Sequence, residues 1–186
     1  MLRLYITFLL LITSVLAPAR SEGQGISGPG VAIADDDIYV TFSIKLEEKN
    51  IREIKQGIDK EFNFYIDLFR IWNIWPNEFV LGKYYSRTVK SDPIKKEYVA
   101  TSFDGNVIIE KRFRSLESML GWTLSFRDLK LTNTRELDPG RYFVRITAES
   151  KIRKIPPVIR YIFLFLSENE FREVKDSADF VIKGIK

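Results

Sequence analysis

Hydrophobic and polar residues alternate over two long stretches of the chain, and this alternation predicts half-buried β-strands. The first stretch places five apolar side chains on one face: Ile38, Val40, Phe42, Ile44 and Leu46. The second stretch, Arg141–Ile152, does the same with Tyr142, Val144, Ile146, Ala148 and Ile152. A period of two residues is typical of a strand that turns one face to the core. Both strands therefore need a large apolar partner.

The aromatic stretch Phe62–Tyr85 is the best candidate for that partner. In a strand, Phe62, Phe64, Ile66 and Leu68 share one face. A turn at 75–78 and a second arm from Phe79 complete an aromatic β-hairpin. Most of its rings are expected in the core, whereas the tip, Arg70–Glu78, should project beyond the sheet. The tip supplies the interaction candidates Arg70, Trp72, Trp75 and Asn77.

Shorter signals predict two helices. Asn50 and Glu53 have the spacing of a capping box, with Gly57 as a stop. Ser115 is expected to cap the second helix, whose buried stripe consists of Leu116, Met119, Leu120 and Leu124.

Turn residues place the remaining strands. Asp104-Gly105 is expected to join Lys96–Phe103 and Asn106–Phe113 through a tight type I′ turn. Pro139-Gly140 should form the turn before Arg141. Phe180–Ile182 would close the sheet as a final short strand, after a polar tail from Glu168 to Asp179.

The apolar stretch Val158–Leu166 fits either a helix or a fully buried strand. Burial in the core is the favoured interpretation. A segment at a membrane surface is the alternative, because Arg153, Lys154 and Arg160 flank it. Its candidates for membrane or ligand contact are Val158, Ile162 and Phe163.

These elements together predict a mainly β fold, an antiparallel β-sandwich of immunoglobulin-like or related type with two short helices inserted. The helices are too few and too short to cross over between parallel strands. We expect a signal peptide at residues 1–19, a flexible glycine-rich lead-in at 20–30 and a single β-rich domain at 31–186.

The N-terminus predicts export. Arg3 precedes the apolar run Leu4–Leu16, and Ala17-Pro18-Ala19 supplies the small residues that a signal peptidase reads. Since this run is too short to span a membrane comfortably, a cleaved signal is favoured over an anchor. The expected location is the periplasm of a bacterial cell envelope.

Composition limits the chemistry. The chain has no histidine and no cysteine, which excludes Ser-His-Asp and Cys-His catalysis and thiolate or imidazole metal sites. The net charge of +4 is spread among interleaved acids, so nucleic acid binding is not expected. Asp35–Asp37 fits an acidic loop better than a calcium site. No metal, cofactor or catalytic residue is assigned.

A carboxylate-based hydrolase is the remaining enzymatic alternative, since paired acids can act without histidine. The acids nearest aromatic residues are Asp67, Asp104, Glu117 and Asp128. Each also suits a structural role, so we expect no enzyme.

Several short motifs give the chain a family resemblance: Tyr65–Arg70 followed by tryptophan, Arg112-Phe113 ahead of Ser115–Glu117, Leu129–Leu131, Gly140–Arg145 and Ile155-Pro156. In these motifs the chain resembles an uncharacterised family of exported bacterial proteins, domain of unknown function 4390. It departs from the pattern at Ser167–Asp179, where the family has a tryptophan-bearing strand. The resemblance implies an envelope location and a role near a nitrogen-regulation sensor kinase, and it implies no catalytic residue.

The favoured hypothesis is therefore a non-catalytic interaction module of the cell envelope whose partner is a membrane-bound sensor. Exposed Trp and Tyr side chains would anchor such an interface. The alternative is a carrier or sensor of a small apolar or lipid ligand, held in a cavity between the sheets.

Overall fold

The computed structural model describes residues 24–92, 94–154 and 169–183, and the elements below are those of this part of the chain. The strands are β1 Gly25–Ala34, β2 Asp37–Lys45, β3 Asp59–Ile71, β4 Glu78–Asp92, β5 Glu97–Phe103, β6 Ile108–Phe113, β7 Ser125–Asn133, β8 Gly140–Lys154, β9 Asn169–Asp176 and β10 Phe180–Ile182. The α-helices are α1 Glu48–Lys55 and α2 Leu116–Thr123, and a 3₁₀ turn covers Thr134–Glu136.

The strands form two antiparallel sheets. The small sheet has the order β1-β2-β7. The large sheet runs β10-β8-β3-β4-β5-β6, and β9 pairs with β8 on the same edge as β10 but further along it. The predicted antiparallel β-sandwich with two inserted helices is therefore confirmed.

Both helices lie on connections between the sheets. The helix α1 joins β2 of the small sheet to β3 of the large one, and α2 joins β6 of the large sheet to β7 of the small one. They thereby cover an end of the sandwich, where α2 packs near β4 and β5. Among the described residues, no helix has both the length and the apolar character that a membrane crossing needs.

The core is built by the faces that alternation predicted. Phe62, Phe64, Ile66 and Leu68 on β3 are at most 1% exposed. The small sheet contributes Phe42 and Phe126, whose rings stack at 4.7 Å between centroids, and Phe126 meets Phe64 edge-on at 5.0 Å. Aromatic rings thus fill the space between the two sheets.

The predicted capping box at α1 is wrong. The helix begins at Glu48, and its N-cap, Glu47, makes no side-chain capping bond. Asn50 and Glu53 instead accept hydrogen bonds from the buried Lys60 ammonium, at 2.5 Å and 2.6 Å. Because a buried ammonium needs acceptors more than a helix start needs a cap, the two side chains turn inward. The predicted Gly57 stop is confirmed, with φ of 91° just after the helix.

The second helix follows its prediction more closely. The Ser115 hydroxyl accepts a hydrogen bond from the Ser118 amide at 3.2 Å, so the predicted cap is confirmed.

The β5–β6 hairpin is confirmed, but its predicted type I′ turn is wrong. Only Gly105 has a positive φ, and the Asp104 carboxylate accepts from the amides of Asn106 and Val107. An Asx turn of this kind makes a longer loop. The two-residue turn with both φ values positive lies at Asp35-Asp36, between β1 and β2.

The lead-in predicted at 20–30 is wrong from Gly25 onward. Gly25–Ala34 is strand β1, which pairs with β2 from Gly25↔Lys45 to Ala34↔Asp37. A register shift between Ser27 and Gly30 accommodates the Gly28-Pro29 segment. The strand forms because β2 offers an unpaired edge, although glycine gives β1 little propensity of its own.

Strand β9, Asn169–Asp176, lies in the stretch predicted as a polar tail, and the sequence interpretation missed it. Charged pairs across β8 and β9 account for the pairing. The Nε and Nη2 atoms of Arg145 donate to the two carboxylate oxygens of Asp176, at 2.7 and 2.8 Å. The Nε of Arg172 lies 3.0 Å from a carboxylate oxygen of Glu149. The final strand predicted at Phe180–Ile182 is confirmed as β10.

Candidate functional site

The tip of the β3–β4 hairpin extends past its neighbouring strand. The last residue of β3 that pairs with β8 is Ile71, opposite Arg141, and β4 begins at Glu78. Residues 72–77 therefore lie beyond the end of the sheet, and all six are exposed. The predicted projection of the tip is therefore confirmed for residues 72–77, whereas Arg70 and Glu78, the ends of the predicted tip, pair with each other within the sheet.

Four large apolar side chains at this tip face solvent. Trp72 is 41% exposed, Ile74 90%, Trp75 75% and Phe79 56%. We call these four residues the hairpin-tip patch. A single exposed apolar residue is ordinary, whereas four at the end of one hairpin are a surface signal of a binding role.

Polar contacts hold the first tryptophan of the patch in place. The Trp72 indole N–H donates to the Glu78 carboxylate at 3.1 Å, across the mouth of the loop. The Arg70 guanidinium lies 4.3 Å from the centre of the Trp72 ring. Trp72 is thus fixed from its edge and its face while still exposed.

Arg70 itself is tied to the turn before β8. Its guanidinium donates to the Asp138 carboxylate at 3.1 Å and to the Pro139 carbonyl at 2.9 Å. A Cβ atom at Gly140 would lie 3.0 Å from the Arg70 Nε, so glycine leaves room for this approach. Arg70, predicted as an interaction residue, is therefore foremost a clamp between the tip and this turn.

A second aromatic cluster continues from the patch onto the outer face of the large sheet. Phe69 stacks on Phe143 at 5.3 Å and meets Phe79 edge-on at 5.8 Å. The Arg145 guanidinium lies over Phe69 and Phe143, at 5.1 and 5.4 Å. A register shift between Leu68 and Phe69 accompanies this arrangement.

One acid lies beside that cluster. Burial raises the pKa of the Asp67 carboxyl, and the nearby Arg145 charge opposes the rise. A Cβ atom at the facing Gly82 would meet the Asp67 carboxylate, so glycine makes this approach possible.

Part of the patch is apparent from the sequence. Trp72 and Trp75 were predicted at a projecting tip, and Asn77 is exposed there as well. Ile74 and Phe79 were missed. The signal for Ile74 is its position between two tryptophans in a loop too short to fold back. Phe79 carries no such signal, because its direction depends on the register shift at Leu68.

The acids considered for hydrolysis lie on separate elements. Asp67 is on β3, Asp104 in the β5–β6 turn, Glu117 in α2 and Asp128 in β7. Hydrogen bonds from the Val107 and Asn106 amides lower the pKa of Asp104. Asp128 accepts a hydrogen bond from the Thr41 hydroxyl at 3.4 Å and has a φ of 48°. Within the described ranges, no group of three or more acids is placed to hold a metal ion.

The acidic turn Asp35–Asp37 has structural partners. Arg135 donates to Asp36, while Lys130 and Asn133 bind the Asp37 carboxylate at 2.7 and 2.8 Å. These contacts lower the pKa of Asp37, chiefly through Lys130 and Asn133.

The other candidate surface has a different position from the one predicted. A groove of about 890 Å³ lies between α1 and α2 at the end of β2 rather than between the sheets. Its apolar lining consists of Ile44, Leu46, Ile51, Leu120 and Leu124. Charged residues form its rim: Lys45, Glu47, Glu48, Lys49, Arg52 and Glu117. The candidates Val158, Ile162 and Phe163 lie outside the described residues.

Comparison with known families gives one match. The family described as "Domain of unknown function (DUF4390)" matches residues 26–175. Comparisons with curated proteins and with solved structures found no match. The matched range begins within β1 and ends within β9, so it covers both sheets.

Proposed function

The chain belongs to the DUF4390 family, and on that premise we propose that it is a non-catalytic interaction module of the bacterial cell envelope. Its partner is a membrane-bound sensor, which it contacts through the hairpin-tip patch. The observation that carries the proposal is the exposure of Trp72, Ile74, Trp75 and Phe79 together at one projecting end.

The composition of the patch suits an interface. Tryptophan buries a large, rigid area with few rotatable bonds, and it is enriched among the residues that dominate binding energy. The surrounding charges Arg70, Glu78 and Asp138 are positioned to form a polar rim.

The clamp on Trp72 supports the same function. Its Glu78 hydrogen bond and the Arg70 stacking fix the ring before any partner arrives. Ordering a side chain at an interface costs about 0.5–1.5 kcal/mol. Prior ordering of Trp72 therefore leaves more of the contact energy available for affinity.

The test is the double variant Trp72→Ala/Trp75→Ala, with Ile33→Ala as the matched control. Ile33 is 47% exposed and lies on β1 of the other sheet. We expect the double variant to keep the wild-type melting curve and to lose co-purification with the sensor from native envelope, while Ile33→Ala keeps both. A double variant that no longer folds, or that still co-purifies, contradicts the proposal.

A second candidate function is carriage of a small apolar ligand, and the groove between α1 and α2 favours it. Its volume of about 890 Å³ lies within the range of ligand pockets, which is roughly 300–1,000 Å³. Native mass spectrometry of protein purified from the envelope tests it. We expect an added mass in the wild type that Leu120→Trp, which fills the groove, removes. Protein that is repeatedly free of ligand excludes carriage.

A further inference from the structure

A small cavity of about 300 Å³ lies at the C-terminal end of α2, away from the hairpin tip. Its lining residues are Arg87, Gly121, Trp122, Ser125 and Arg127. Two of these five residues carry a guanidinium, and none is acidic. The cavity therefore has a strongly positive lining for its size.

Arg87 is the buried part of this lining, with 9% of its surface exposed. Its Nη1 donates to three backbone carbonyls, those of Trp122 at 2.6 Å, Thr123 at 2.9 Å and Ser125 at 3.2 Å. Its Nε donates to the Ser102 hydroxyl at 3.4 Å.

The Nη2 of Arg87 has a different environment. It makes no hydrogen bond to the described part of the chain, and it is not among the fully buried atoms that lack a partner. This atom therefore keeps some solvent contact, and because Arg87 lines the cavity, its two N–H groups are available to a ligand there.

Two cations lie close to the ring of Trp122, which lines the cavity. The Arg87 guanidinium lies 4.9 Å from the Trp122 ring centre, and the Lys111 ammonium lies 5.2 Å from it. Arg127 is exposed on the cavity wall. Among the described residues, no ion pair involves Arg87, Lys111 or Arg127.

The backbone does not offset this positive charge. The carbonyl end of a helix carries about half a negative charge, whereas three cations gather here. Burial lowers the pKa of Arg87 to about 10, so its guanidinium stays protonated at neutral pH. The Arg87 guanidinium also lies over the Phe126 ring, 3.8 Å from its centre. The faces of Phe126 and Trp122 stabilise the positive charge of Arg87 only in part.

We propose that this cavity binds a phosphate-type oxyanion, with the Arg87 Nη2 and the Arg127 guanidinium donating to its oxygens and Lys111 adding positive charge. Planar guanidinium forks match the geometry of phosphate oxygens. A phosphate also suits the three cations better than a carboxylate does, because it carries more charge and more acceptors.

Two sources could supply this group, namely free phosphate and the phosphate headgroup of a lipid. The groove between α1 and α2 does not by itself distinguish free phosphate from a lipid. It shares Gly121 and Ser125 with the cavity. The acyl chain of a lipid bound at the cavity would therefore have an adjoining apolar surface. The inference does not depend on the hairpin-tip patch and can hold if that proposal fails.

The experiment titrates the full chain with inorganic phosphate at constant ionic strength, followed by calorimetry and thermal unfolding. The key variant is Arg127→Gln, because Arg87 also holds the end of α2 and its loss would disturb the fold. Arg112→Gln is the matched control. Arg112 is exposed on β6, and because its neighbours Lys111 and Phe113 both contact Trp122, strand alternation puts Arg112 on the opposite face.

We expect saturable phosphate binding that raises the melting temperature, an affinity about tenfold or more weaker in Arg127→Gln, and no change in Arg112→Gln. A parallel arm uses phosphatidylcholine vesicles with and without phosphatidic acid. Arg127-dependent binding to the acidic vesicles alone assigns the site to a lipid headgroup. Absence of binding in both arms, or binding that Arg127→Gln leaves intact, overturns the inference.

Discussion

The two ends of the β3–β4 hairpin contain the same kinds of residue in opposite surroundings. Away from the tip, Phe62 and Phe64 on β3 are at most 1% exposed. Phe42 and Phe126 of the small sheet pack on Phe64, and Phe171 of β9 packs on Phe62. At the tip, Trp72 and Trp75 are 41% and 75% exposed. Aromatic content alone therefore does not identify a core or an interface. The side chains that pack over a residue decide which of the two it belongs to.

Charges show the reverse distribution along the same hairpin. Away from the tip, Lys60 and Arg87 are buried and held by Glu53 and by backbone carbonyls. At the tip, Arg70 stays near the surface and supports a tryptophan. The hairpin thus uses cations to complete the fold at one end and to present a surface at the other.

The largest expected difference in stability between the two ends of the hairpin comes from a pair of aromatic truncations. Phe64→Ala should lower the free energy of unfolding by about 3–5 kcal/mol, since it empties a packed core site. Trp75→Ala, at 75% exposure, should change it by less than about 0.5 kcal/mol. Urea unfolding of both variants measures the difference, and losses of similar size would refute the contrast between the two ends.

The buried ammonium gives the next effect in size. Lys60→Met leaves the buried Glu53 carboxylate with the longer Lys49 contact, at 4.0 Å, in place of the 2.6 Å contact to Lys60, and should cost about 3 kcal/mol in the free energy of unfolding. The double variant Lys60→Met/Glu53→Leu should regain most of that loss. Lys90→Met, an exposed position on β4, serves as the control in the same urea titrations. If Lys60→Met behaves like the control, the ion pair does not matter for stability.

A smaller effect tests the clamp at the tip. In Gly140→Ala the new methyl would lie 3.0 Å from the Arg70 Nε and displace the guanidinium. We expect a loss of about 1 kcal/mol in stability and a shifted, faster-exchanging Trp72 indole N–H in NMR spectra. Gly121→Ala, whose methyl meets nothing within 4 Å, should leave that resonance in place. If the Trp72 resonance in Gly140→Ala stays where it is in the wild type, Arg70 does not hold the Trp72 ring in place.

The smallest effect is a pH dependence. Because the pKa of Asp67 is raised in the folded state, the folded chain binds its proton more tightly, and ionisation above that pKa lowers stability. The advantage of Asp67→Asn over the wild type should therefore grow as pH rises through the carboxyl range. Asp37, whose pKa is lowered, should show the opposite trend, with Asp37→Asn losing most above the unfolded pKa. Parallel pH series for the two variants would contradict at least one of the two assignments.

Much of the fold could be predicted because a buried face repeats every second residue. Ile38–Ile44 shows that period in its burial. Tyr142–Ala148 shows it in four buried apolar residues, although Phe143 and Thr147 on the other face are buried as well. Strand β1 could not be found in this way, since its glycines carry no pattern and its pairing depends on the free edge of β2. Strand β9 could not be predicted from local alternation, because cross-strand charge pairs such as Arg145 with Asp176 hold it in place.

The candidate site was predictable to a similar degree. The exposure of Trp72 and Trp75 follows from their place at the end of a long hairpin. The clamp role of Arg70 depends on Asp138 and Pro139, which lie far away in sequence, so no local pattern shows it. The Arg87 cavity likewise combines strands and a helix that only the folded chain brings together.

The most direct test of the hairpin-tip patch is photo-crosslinking in intact cells. A photoreactive amino acid is placed at position 75, and a matched protein carries it at position 33, on the exposed face of β1. If the patch contacts a membrane sensor, position 75 gives a discrete crosslinked product that contains the sensor and position 33 gives none. No product at position 75, or the same product from both positions, would contradict the proposed interface.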